Sequence, residues 1–75
     1  MKRKSGRECL AQNLKLCRQE LGWSQEDLAL EAGLHRTFVA HVERCARNIS
    51  IDNIDKLAIA LDKPMSELLL DPVRL

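Results

Sequence analysis

The chain has 75 residues, enough for one small domain but too few for a large enclosed core, so self-association is an expected source of stability. An apolar fraction of 45% excludes a disordered chain, and no apolar run approaches the length of a membrane span. The formal net charge is +1, but residues 1–22 carry +4, 23–35 carry −3, 36–47 carry +2 and 48–75 carry −2, so the near-neutral total does not exclude a polyanionic partner.

Residues 1–6 read as a flexible basic N-terminus. A first helix is expected over about Arg7–Leu21, where Leu10, Leu14, Cys17 and Leu21 fall within an arc of roughly 60° and form a core-facing stripe. Cys17 sits inside that stripe and reads as a buried structural thiol. Gly22 follows, as suits a left-handed helix terminus. Trp23 then leads into a second helix, capped by Ser24 with Asp27 three residues on, a variant of the capping box. Leu28, Ala29 and Ala32 supply its apolar side, and Gly33 ends it.

A third helix is expected over about Arg36–Arg44. With Arg36 at 0°, Phe38, Val42 and Val39 fall at about 200–300°, whereas Ala40, Arg44, Thr37 and His41 fall at about 40–140°. One face is therefore core, and the other offers cations, a hydroxyl and an imidazole around a small central residue. That face can donate hydrogen bonds while lying close to a grooved polyanion. Ser50 caps a fourth helix carrying Ile51, Ile54, Leu57, Ala58 and Leu61 at helical spacing, with Asp52 suited to its positive end. Asp62-Lys63-Pro64 breaks the chain, a short fifth helix spans about Met65–Leu70, and Pro72 stops it. Residues 71–75 read as a tail. There is no repeat and no strand-like alternation, so the expected fold class is a compact all-α bundle.

Two helices joined by a short glycine-containing turn, the second with a polar outer face, form the helix-turn-helix pattern, whose second helix enters the major groove of DNA. Arg can donate two bonds to guanine, and Thr can bond bases or touch the thymine methyl. Gln25 and the free N–H groups of the second helix's first turn can bind phosphate. His41-Val42-Glu43 spells the H-x-E of zinc deaminases, but no P-C-x-x-C follows and Glu43 lies on the core side of the wheel. Cys45 with His41 lacks an orienting third group for nucleophilic catalysis. Cys9, Cys17 and Cys45 show no metal spacing, so no metal, no cofactor and no enzymatic activity are expected; an odd thiol count suggests the reducing cytoplasm. Met1–Lys4 has the charge of a leader's first segment without an apolar core after it.

The stretch SQEDLALEAGLHRTFVAHVER resembles the Xre-type helix-turn-helix family, the class of lambda repressor and Cro. More narrowly, LHRTFVAHVERCARNISIDNIDKLAIAL resembles the controller proteins of restriction–modification systems. The resemblance covers about residues 7–70 and implies a five-helix lambda repressor-like domain with the helix-turn-helix in helices 2 and 3. It further implies a transcriptional regulator that binds a near-palindromic double-stranded DNA operator as a homodimer in the cytoplasm, with RNA polymerase as a further partner and no membrane. By position it assigns base reading to Arg36, Thr37 and His41. Ser24, Gln25, Ala40, Arg44, Arg47 and Asn48 fall along the DNA backbone. Glu43 matches an acidic residue that pairs with a first-helix Arg, here Arg18. Cys45 stands where the family commonly has Gly, His35 is a weak cap for the third helix, Ala40 replaces a common Ser and Ile49 a frequent Pro. Leu61, Met65, Leu68, Leu69 and Leu70 are expected to form the dimer interface, because one helical turn cannot aim three consecutive leucines at one core. An antitoxin or a phage or mobile-element repressor would share this pattern. A protein-interaction module that does not bind DNA is the reading from another class.

Overall fold

The computed structural model describes residues 4–46 and 48–72. Within them lie five helices and no strand: α1 (Gly6–Leu21), α2 (Gln25–Ala32), α3 (Arg36–Glu43), α4 (Ile51–Leu61) and α5 (Met65–Leu68). The helix ends follow from local chemistry. Ser5 caps α1: its Oγ accepts from Glu8 N at 3.2 Å, while Glu8 Oε1 accepts from Ser5 N at 2.9 Å. This reciprocal box satisfies two otherwise unpaired donors, so Ser5 and Gly6 belong to the folded domain and not to a frayed terminus. Ser24 and Asp27 form the same box on α2, at 3.0 and 2.9 Å. Ser50 Oγ accepts from Asn53 N at 3.2 Å at the start of α4. Gly22 and Gly33 close α1 and α2 in the left-handed region, with φ of 70° and 71°, where a side chain would be strained.

α2 packs on α3 and α4, α1 packs on α3 and α5, and α4 meets α5. The centre of the core is Leu10, Leu14, Leu28, Val39, Leu57 and Leu68, all sealed from solvent. The first-helix stripe holds for Leu10 and Leu14 but not at its end. Leu21 is exposed and Cys17 only half-buried against the core. Burial still pushes the Cys17 thiol pKa up.

The C-terminal leucines divide differently from the expectation. Leu61 and Leu68 are buried in the chain's own core and are not available to a partner, whereas Leu69 and Leu70 are 42% and 47% exposed and Met65 is half-buried. The cause is the shortness of α5, which ends at Leu68 and not at Leu70. Leu68 points inward, and the next two residues leave the helix facing out. Buried Asn13 holds this exit in place: its Nδ2 donates to the carbonyls of Leu68 at 2.8 Å and Leu70 at 2.7 Å. Ile59 on α4, which the sequence reading left out of the interface, is 72% exposed.

Candidate nucleic-acid interface

The outer surface of α3 is built by the alternation seen on its wheel. Val39, Val42 and Glu43 are buried and Phe38 packs half-buried against the core; Arg36, Thr37 and Arg44 are exposed, and Ala40 and His41 are half-buried between them. The small Ala40 leaves the middle of this face low, so a flat or grooved surface can come close to the α3 backbone. Arg44 is the helix C-cap, not its last turn. The His35 side chain makes no cap bond, so the first N–H groups of α3 stay open to water or an anion.

One polar cluster holds α3 at this angle. Arg18 Nε donates to Glu43 Oε2 at 2.8 Å and Arg18 Nη2 to Glu43 Oε1 at 2.9 Å, a two-pronged pair whose carboxylate is almost wholly buried. Arg18 Nη1 donates to Trp23 O at 2.9 Å, so one guanidinium ties α1, the α1–α2 turn and α3 together. The hydrogen bond to Glu43 raises the Arg18 pKa above its ordinary value. Removing one member of such a buried pair commonly costs about 3–5 kcal/mol, because the other charge is left uncompensated.

The same carboxylate reaches α2. Gln25 Nε2 donates to Glu43 Oε1 at 3.0 Å, so part of the Gln25 amide is committed inward, which the sequence did not reveal. Both Ser24 Oγ and Ser24 N are engaged in the α2 cap, which leaves the hydroxyl hydrogen as the group Ser24 can still donate. Asn48 is exposed after α3. Arg47, also placed along the DNA backbone by the sequence, lies outside the described residues.

Beside His41 a cleft separates α3 from α4, lined by Gly33, Leu34, His35, Thr37, Phe38, His41 and Asn53. His41 turns Nδ1 inward, where it is buried without a hydrogen-bond partner, so Nε2 is the ring nitrogen left for a ligand. Asn53 was missed from sequence; its only signal is its place three residues after the Ser50 cap, which puts it in the first turn of α4 alongside α3. Arg36, Thr37, Ala40, His41 and Arg44 thus share one surface, with Ser24 and Gln25 at the adjoining α2 terminus. Among the described residues no group of His, Cys, Asp and Glu could hold a metal ion, and no helix is long and apolar enough to cross a membrane.

Residues 14–68 match the helix-turn-helix family. The chain is 50% identical over 66 residues to a hypothetical transcription factor of Neisseria meningitidis serogroup B, and 50% identical over 46 residues to the control protein C.BamHI of Bacillus amyloliquefaciens. These alignments take in 88% and 61% of this chain. They span only 62% and 57% of the two relatives. The restriction–modification controller protein C.Esp1396I, solved as a tetramer in complex with its natural 35 base-pair operator, superposes with a TM-score of 0.79 at 28% identity, over 89% of this chain and 92% of that one.

Proposed function

The chain belongs to the helix-turn-helix family, and from that premise we propose that it is a sequence-specific DNA-binding transcriptional regulator of the restriction–modification controller kind, acting in the cytoplasm as a homodimer on a near-palindromic operator. The observation that carries this reading is the divided surface of α3, fixed from behind by the Arg18–Glu43 pair and open in front through Arg36, Thr37, Ala40, His41 and Arg44. Arg36 and Thr37, at the start of the helix, would reach base edges, and His41 would offer its Nε2 one turn later. Ser24, Gln25, Arg44, Arg47 and Asn48 would lie along the phosphates on either side, with Ala40 allowing the close approach. Exposed Leu69 and Leu70, with half-buried Met65, would pair two copies; Leu61 and Leu68 would only support that surface from inside. Two α3 helices would then address half-sites about 34 Å apart. Bound over a promoter such a dimer excludes RNA polymerase, and bound just upstream it assists it. The controller relatives and the operator complex of C.Esp1396I support this reading.

Titration with duplex DNA tests it. Affinity for random-sequence duplex should fall steeply as salt rises, and selection from a random library should return a tighter site with two-fold symmetry. Arg36→Ala should weaken the selected site by about 1–3 kcal/mol and relax its preference at one base pair. If Arg36→Ala leaves both the selected and the random duplex bound as before, α3 does not enter the groove. Absence of any salt-sensitive duplex binding would favour a protein-interaction module instead.

A further inference from the structure

We propose that Glu43, besides bracing α3, is a positioning residue that sets the Gln25 amide for a DNA phosphate; the inference rests on the DNA-binding reading above. An ionised carboxylate only accepts hydrogen bonds, so the nitrogen of the Gln25 amide, not its oxygen, must face Glu43 Oε1, 3.0 Å away. The usual ambiguity in the orientation of a glutamine amide is thereby removed. One N–H is spent on Glu43, and the second N–H is held at the first residue of α2. There the backbone N–H groups of Gln25 and Glu26 have no acceptor within the helix, that of Asp27 being taken by Ser24 Oγ. A phosphate oxygen arriving at this terminus meets a side-chain donor already ordered beside backbone donors, and less rotamer freedom is lost on binding.

The charge arrangement makes this possible. Glu43 alone would repel a phosphate, but its two oxygens are clasped by Arg18 Nε and Nη2 at 2.8 and 2.9 Å. Oε1 serves Arg18 and Gln25 together, so the orientation of Gln25 depends on the place of the carboxylate. The ion pair that connects α1 to α3 thus also aligns a contact on α2, which links the buried network to DNA affinity.

The test is a coupling measurement on the intact chain with random-sequence duplex DNA at low salt as the probe. Gln25→Ala should weaken binding by about tenfold, the size of one net hydrogen bond to a charged group at the lower end of its range. In a Glu43→Asp background, which keeps the charge beside Arg18 but withdraws the carboxylate by one methylene, the same Gln25→Ala change should cost less than about twofold. Equal factors in the two backgrounds would overturn the proposal. A second reading needs no variant to fold: in the free protein, the Gln25 side-chain amide proton that faces the Glu43 carboxylate should be displaced from the positions taken by the amide protons of exposed Gln19 in a nitrogen-correlated spectrum. If it coincides with those of Gln19, the amide is not held and the proposal fails. A wild-type chain that shows no salt-sensitive duplex binding would remove the DNA reading and this inference with it, whereas equal factors remove only the inference.

Discussion

Cys45 occupies the left-handed region at φ 57°, two residues past the end of α3. A β-carbon there costs on the order of 1–2 kcal/mol, and the thiol recovers little through a 3.6 Å contact to Arg7 O. Glycine would remove the strain but would lose part of the gain to the greater freedom of its unfolded chain, about 0.4–1 kcal/mol. Cys45→Gly should therefore stabilise the fold by about 0.5–1 kcal/mol, seen as a higher midpoint in urea with an unchanged slope. Asp62 has the same φ at the end of α4, but aspartate tolerates this conformation better, so no comparable gain is expected there. The family resemblance implied glycine at position 45; only the backbone shows that the left-handed conformation is kept without it.

At the scale of the element, the helices owe their boundaries to serine boxes and glycine ends more than to propensity. Ser24 and Ser50 were legible as caps because each precedes an apolar periodic run. Ser5 was not, because it follows a basic run and its helix opens with Gly6, so the local signal looked like a tail. The backbone N–H of Ser5 and its hydroxyl together hold the Glu8 carboxyl below its ordinary pKa of 4.5. A depressed carboxylate stabilises the fold above its unfolded pKa, and that contribution is lost as pH falls through the folded value. Glu8→Ala should accordingly lower stability at neutral pH, and the gap between wild type and variant should narrow as acid protonates Glu8. Urea unfolding of both chains at neutral and strongly acidic pH measures this. A gap that stays constant across the range would mean that the box contributes nothing through its carboxylate.

For the whole molecule, the division of the C-terminal leucines decides what surface a second copy could use. Leu68 completes the core between α1 and α4, while Leu69 and Leu70 stand outside it on a segment pinned through Asn13. Replacing both exposed leucines with glutamate should leave the helical signal and melting of the monomer nearly unchanged while abolishing self-association in sedimentation. Binding to a two-fold operator should then fall by about a hundredfold or more, because the second half-site is no longer engaged as an intramolecular event. A double variant that still sediments as a dimer would place the interface elsewhere.

The sequence by itself determined the all-helical class, the helix order and the opposition of faces on α3, because 3.6-residue periodicity and capping residues act within a few positions of one another. It also indicated the partners Arg18 and Glu43, though only through family resemblance and wheel position. Tertiary structure alone decided three things: that the Glu43 carboxylate also takes up the Gln25 amide, that His41 buries Nδ1 without a hydrogen-bond partner, and which leucines remain outside. Each of these depends on how segments distant along the chain meet, and the direction of a side chain at such a meeting is set by the packing around it, not by its neighbours in sequence.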